Sequence, residues 1–220
     1  MRLLDLFCGA GGAAMGYSRA GFTEIVGVDS APQKHYPFAF VQADALEYFA
    51  AHGKEFDLIH ASPPCQAYSV TRFSHNHRDQ HPKYITAVRQ ACKGMKQPYV
   101  IENVRGAPIK GIMLCGTMFG LLVIRHRIFE LSWGLPLCQP CQHERKVVQQ
   151  GKKPNHLTEY HCVVGNFSDV GFAREAMGIA WMNQKELSQA IPPAYTEFIG
   201  ESFLKSQPAP GHVIPLRKAA

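Results

Sequence analysis

Three places in the chain carry residue types suited to covalent chemistry on a ring. In Ser62-Pro63-Pro64-Cys65-Gln66 a cysteine follows two rigid prolines at the end of an apolar run. A thiolate there can act as a nucleophile, because free thiols ionise near pKa ~8.5 and neighbouring cations lower that value. The same cysteine also reads as a small apolar filler. Glu102 ends the run Tyr99-Val100-Ile101. Beside a nucleophilic thiol, its carboxylic acid can protonate a ring nitrogen and make the ring electrophilic. Arg125-His126-Arg127 supplies guanidiniums that can hold a carbonyl, a phosphate or Glu102 itself.

A second group of residues suits a small ligand. Asp5-Leu6-Phe7-Cys8-Gly9-Ala10-Gly11-Gly12 feeds an apolar run into a glycine turn, where backbone can approach a ligand closely. It lacks the third spacing of a dinucleotide fingerprint. Asp29 ends the next apolar run and Asp44 follows the third. Each suits a ribose hydroxyl or a base amino group, and each equally suits a helix or turn cap. Together they indicate a nucleoside cofactor without a long phosphate chain. The seven cysteines are odd in number and unevenly spaced, which argues against a disulfide framework. Cys138-x-x-Cys141, with His143 and Cys162 beyond it, offers half of a zinc spacing. The other half has no matching pair, so no metal is expected; those four residues are what a zinc ion would use.

These residues need strand ends to bring them together. Apolar runs at Arg2–Phe7, Glu24–Asp29, Phe38–Gln42, Phe56–Ala61 and Tyr99–Asn103 read as strands. Gly12–Ala20, Ala45–Ala51 and Pro82–Lys96 read as the helices between them. That alternation predicts an α/β fold with a doubly wound, mostly parallel sheet, and ligands beyond the carboxyl ends of its strands. From Leu131 to about Gly171 the periodicity fails, which indicates a small irregular lobe. Asn183-x-x-Glu186 then has the spacing of a capping box that opens a helix through Ile191, and Pro193–Lys205 reads as another helix. The polar, basic stretch Thr71–His81 suits a loop that closes over a phosphate backbone. Lys plus Arg number 23 against 17 Asp plus Glu, which suits a polyanionic partner. With 46% hydrophobic and 18% charged residues, the 220-residue chain is neither disordered nor fibrous. No apolar run reaches the ~18–20 residues of a membrane span.

The order Asp5–Gly12, Pro63-Pro64-Cys65-Gln66, Glu102-Asn103-Val104 and Arg125-x-Arg127 resembles the cytosine-C5 DNA methyltransferase family, in its compact, phage- or prophage-like branch. Gln189-Ala190-Ile191-Pro192-Pro193, followed by Ile199-Gly200, is similar to that family's closing motif. Two positions depart from it. Val123 stands where the family usually has glutamine, and Gln189 where it usually has asparagine.

The resemblance implies a sheet of the S-adenosylmethionine-dependent methyltransferase type with a small target-recognition lobe. The catalytic domain would comprise residues 1–130 and 180–205, the lobe 131–179, and a flexible tail 206–220. It implies catalytic roles for Cys65, Glu102, Arg127 and Arg125, the last tying its loop to Glu102 or phosphate. Phe7, Gly9, Gly11, Asp29, Asp44, Pro63 and Gln189 would line S-adenosylmethionine. The implied activity is DNA cytosine-5 methylation through base flipping, as in restriction-modification or on phage DNA, on double-stranded DNA. A transfer-RNA cytosine-5 methyltransferase and a catalytically idle regulatory relative are the alternatives. The expected setting is a cytoplasmic monomer, without membrane attachment, in a bacterial or phage-infected cell.

Overall fold

A computed structural model describes residues 1–65, 84–134 and 138–207. Alternate side chains of a strand face opposite ways. In Arg2–Leu6 (β1) this sends Leu3 to one apolar cluster and Leu4 and Leu6 to another. Leu58 and Ile59 divide in the same way within Leu58–Ala61 (β4), as do Val100 and Ile101 within Tyr99–Asn103 (β5). Strands buried on both faces need helices on both sides. Gly12–Ala20 (α1) and Pro193–Ser206 (α6) cover the first face with Ala13, Ala14, Tyr17, Tyr195, Ile199 and Phe203. Ala45–His52 (α2) and Tyr84–Met95 (α3) cover the second with Phe49, Ile85, Val88 and Cys92.

Glu24–Asp29 (β2) and Ala39–Gln42 (β3) complete a parallel block, and the sheet runs β3-β2-β1-β4-β5-β7-β6. Strand order reverses between β1 and β4, so the crevice at their carboxyl ends is where this class of sheet receives ligands. Two strands absent from the sequence reading close the far edge: Ile112–Leu114 (β6) and Arg127–Leu131 (β7). β7 runs antiparallel to both of its neighbours. Its first residue, Arg127, therefore lies at the same edge as the last residues of β4 and β5. The other strands and helices lie within two residues of their expected bounds, and α1, β2 and β5 match them; the helix expected through Ile191 stops at Gln189 because Pro192 and Pro193 follow.

The lobe departs from expectation. Leu131 belongs to β7, and Ser132 continues its pairing by donating its amide to the carbonyl of Tyr99 at 3.0 Å. Lys146–Val147 (β8) and Glu159–Tyr160 (β9) form a short parallel pair. Where the stretch read as irregular ends, still inside the expected lobe, a helix begins, Val170–Met177 (α4), whose N-cap Asp169 accepts from the amide of Phe172 at 3.1 Å. A lobe core does exist. Val163, Phe167, Ala173, Ala176, Met177 and Ile179 pack with Val123 and with Leu187 of Gln184–Gln189 (α5). Small alanines let α4 sit close, so a few large side chains suffice. Val123, one of the two departures from the family pattern, is apolar because it belongs to this cluster. α5 opens on the expected capping box of Asn183 and Glu186. Ser206 ends α6 and Gln207 caps it, rather than starting a tail; residues 208–220, like Thr71–His81, lie outside the described residues. No described helix is long and apolar enough to cross a membrane.

α1 packs directly against the C-terminal segment. A Cβ on Gly16 would stand 2.1 Å from the carbonyl oxygen of Pro193 and from Thr196 Oγ1, and Thr196 Oγ1 donates to the carbonyl of Ala13 at 2.8 Å. Gly16→Ala is expected to destabilise the protein by about 1–3 kcal/mol through overpacking. Equilibrium urea unfolding with an unchanged midpoint would show that the two helices can part at no cost.

Candidate active site

The glycine turn begins with strain. Phe7 has φ +56°, a conformation that costs a bulky residue about 1–3 kcal/mol and marks functional segments. It is held open by Asp29, whose Oδ2 accepts from the amide of Gly9 at 3.1 Å while Oδ1 accepts from that of Ala31 at 3.0 Å. A Cβ on Gly9 (φ +48°) would meet nothing within 4 Å, so this backbone faces open space. Gly11 is different, because a Cβ there would strike the rings of Pro37 and Tyr36 at 2.7–3.1 Å. Gly11 is glycine here because a side chain has no room against these rings. Asp44 is the N-cap of α2, its Oδ1 accepting from the amides of Leu46 and Glu47 at 2.8 and 3.0 Å. Gln189 closes α5 at the surface, while a Cβ on Gly12 would stand 2.6 Å from the carbonyl oxygen of Ile191. Trp181, which sequence reasoning passed over, donates its indole N–H to the carbonyl of Ala10 at 2.8 Å. Only its place just before the closing helices hinted at such a role.

At the same sheet edge, β4 hands Cys65 to the site through Pro63 and Pro64. Asn103, one residue past Glu102, donates from Nδ2 to the carbonyl of Pro63 at 2.8 Å and fixes the diproline turn. Glu102 is buried and pairs with Arg127, Nε to Oε1 at 3.1 Å. Burial pushes the Glu102 carboxyl above the usual range, and Arg127, Ser62 and Arg125 pull it back only in part. Burial thus favours the protonated acid, against the pull of the guanidinium beside it. Cys65 was expected to be a thiol acidified by cations. Arg127 and Arg125 do favour its thiolate, but burial outweighs them and the thiol sits above its ordinary value. It is a resting thiol, not a preformed thiolate.

Arg125 also departs from expectation. Its buried guanidinium turns away from any ring-binding role and donates from Nη1 to the carbonyl of Val163 at 2.6 Å and from Nη2 to that of Ser188 at 2.7 Å. Tyr195 donates its hydroxyl to the carbonyl of Arg125 at 2.8 Å. Burial, with Arg127 close by, lowers the Arg125 pKa to about 9. Arg125 positions the loop, and Arg127 faces the acid.

A buried chain of hydrogen bonds stands behind Glu102. Ser62 bonds its carboxylate, and the Ser62 hydroxyl lies 2.9 Å from His60 Nε2. His60 Nδ1 lies 3.0 Å from the Tyr17 hydroxyl. With Ser62 donating to Glu102, His60 must carry its proton on Nε2 and accept from Tyr17. Neither Tyr17 nor His60 was singled out in the sequence; both read as core positions.

The zinc reading needs correction as well. Cys141 and His143 are brought together, but their neighbours are Cys115 and His126, not Cys138 or Cys162. Cys138 is exposed, and Cys162 lies nearer Arg125.

Residues 1–108 match the family described as C-5 cytosine-specific DNA methylase. The type II methyltransferase M.FnuDI of Fusobacterium nucleatum is 29% identical over 113 residues, which cover 48% of this chain and 33% of that protein. M.XorII of Xanthomonas oryzae is 30% identical over 123 residues, covering 48% of this chain and 28% of that protein. The chain thus spans about a third of the length of these curated relatives. Among solved structures, a candidate DNA modification methyltransferase encoded within an Escherichia coli prophage superposes with TM-score 0.64 at 14% identity, covering 93% of this chain and 99% of that one. The S. pombe Dnmt2 methyltransferase gives 0.59 at 13% identity, covering 93% and 98%. At such identities the likeness is one of fold.

Burial lowers the His60 pKa to about 3, so its imidazole is neutral in the folded chain, whereas in the unfolded chain it gains a proton below its usual 6.5. Its contribution is present above pH 6.5 and is lost as the pH falls towards 3. Between pH 6.5 and 5 the parent is expected to lose stability more steeply than His60→Gln, by up to about 1.4 kcal/mol per pH unit. Parallel denaturant titrations with equal slopes would mean that His60 is protonated in the folded chain.

Proposed function

The chain belongs to the cytosine-C5 DNA methyltransferase family, and from that premise we propose that it methylates C5 of a cytosine in double-stranded DNA through a covalent bond to Cys65. The observation that supports this most is the meeting of Cys65, Glu102 and Arg127 at one sheet edge, with the acid paired to the guanidinium at 3.1 Å. S-adenosylmethionine supplies an electrophilic methyl group when bound. The residues present fit it: open space over Gly9, the left-handed Phe7 and the Asp29 carboxylate face the crevice where strand order reverses. Phe7, Gly9 and Asp29 would hold the nucleoside, with Asp44, Pro63 and Gln189 further along the same rim.

Cys65 attacks C6 of the ring. Its thiol proton leaves as the S–C6 bond forms, and the positive fields of Arg127 and Arg125 favour that loss. Glu102, whose protonated form burial favours, gives its proton to N3 and so receives the charge that attack drives into the ring. Arg127 holds the O2 side. Once C5 is methylated, loss of its proton to solvent expels Cys65, and N3 returns its proton to Glu102. A base stacked within duplex DNA cannot reach a thiol set this deep, so the cytosine is flipped out. The family's substrate favours DNA over RNA. The lobe, which Arg125 ties to its loop through the carbonyl of Val163, would read the bases.

Cys65→Ser is expected to reduce methyl transfer by at least about a thousandfold, because the chemistry depends on its attacking group. S-adenosylmethionine affinity should be unchanged. Duplex DNA carrying 5-fluorocytosine should trap a denaturation-resistant complex with the parent and none with the variant. Turnover by the variant within about tenfold of the parent, or a trap that survives loss of the thiol, would overturn the covalent mechanism.

A further inference from the structure

Cys115, His126, Cys141 and His143 each present one ligand atom, and all four atoms lie within 4.8 Å of one another. We propose that they form a structural zinc site that fastens the start of the lobe to the loop carrying Arg125 and Arg127.

Two sulfurs and two imidazole nitrogens are the donor set of closed tetrahedral zinc centres. In such a centre, Zn–S bonds of ~2.3 Å and Zn–N bonds of ~2.0–2.1 Å place sulfur and nitrogen about 3.5–3.6 Å apart. Here Cys115 Sγ lies 3.5 Å from His143 Nε2, and Cys141 Sγ lies 3.5 Å from His126 Nε2. Both cross-pairs already have the tetrahedral edge length. The remaining separations are all within 4.8 Å.

The surroundings fit a metal better than they fit four unrelated polar residues. Cys115 is completely buried, and its sulfur lies 3.4 Å from the Thr117 hydroxyl, which can donate to a thiolate and orient it. Thr117 belongs to the short helical turn Gly116–Phe119 that follows β6. The rings of His126 and His143 are tilted at 48° with centroids 5.2 Å apart, so their edges converge instead of stacking. All of the cysteines are free. Binding releases the two thiol protons to solvent, and two thiolates then balance the charge of Zn²⁺ while the imidazoles bind neutral. The ligands reach the site from three places: the end of β6, the residue between the two arginines, and the first described turns of the lobe. With Arg125 on one side of His126 and Arg127 on the other, an ion there would fix the backbone that aims Arg127 at Glu102.

Protein purified from zinc-supplemented cells without chelator is expected to carry one zinc per chain by elemental analysis. Its zinc X-ray absorption should show two sulfur and two nitrogen neighbours. The exposed His143 allows a variant that spares the fold: His143→Ala should lose most of the metal while keeping the parent's circular dichroism, and Cys141→Ser should do the same. Cys138→Ser and Cys162→Ser should retain it. Chelated protein refilled with cobalt(II) should gain thiolate-to-cobalt absorption, which His143→Ala lacks. Zinc below about 0.2 per chain, zinc retained in both His143→Ala and Cys141→Ser, or a mass showing a Cys115–Cys141 disulfide in place of metal would each overturn the proposal. None of these readouts requires methyl transfer, so the zinc site stands or falls apart from the activity.

Discussion

The guanidinium of Arg125 ties three distant parts of the chain together in a place water does not reach. It donates to backbone carbonyls at Val163 in the lobe and Ser188 in α5, and its own carbonyl receives the hydroxyl of Tyr195 in α6. A buried cation is costly unless it is hydrogen-bonded; Nη1 and Nη2 are paired while Nε has no partner among the described residues, and hydrogen bonds to a charged group contribute roughly 1.5–3 kcal/mol each. The lobe, the closing helices and the loop before β7 must therefore be in register together. Arg127 follows two residues later and inherits that register, which is why its pairing with Glu102 is a consequence of the clamp rather than an independent contact.

A second constraint is the direction of β7. A strand running against the parallel block starts where the others end. It delivers Arg127 to the edge that β4 and β5 supply with Cys65 and Glu102. Asn103 and Ser62 refine this edge from below, one fixing the diproline turn and the other bonding the acid. The low dielectric that makes these bonds strong also favours the protonated forms of the Cys65 thiol and the Glu102 carboxyl. The same burial sets the resting state and the order in which protons must move.

The parallel half of the fold was legible because its strands are continuous apolar runs punctuated by glycine, proline and caps, and these signals are local. Leu3 and Leu4 announce a strand without saying what lies on either side. β6 and β7 were missed because Ile112–Leu114 has only three residues and Arg127–Leu131 mixes Arg127 and Glu130 with apolar residues without a strand's alternation, beside a charged motif. Cys65, Glu102 and Arg127 could be named from their residue types and order. The clamp role of Arg125 could not, since its partners are backbone carbonyls and any residue has one. The Cys115–His126–Cys141–His143 cluster is invisible for a similar reason. Only Cys141 and His143 are close in sequence, and the other two are single residues brought in by a strand reversal.

The packing of α1 against α6 has a consequence for synthesis. The glycine turn and α1 leave the ribosome long before α6, yet the face of α1 is completed by residues much later in the chain: Thr196 on the carbonyl of Ala13, Ile191 against Gly12, and Trp181 on the carbonyl of Ala10. Chains grow from the N-terminus at about 5–20 residues per second, so this half of the crevice stays unfinished for roughly 10–40 seconds. Over that interval the nascent chain exposes an apolar helix face that invites chaperones, and no truncated product that stops before α6 has a completed crevice.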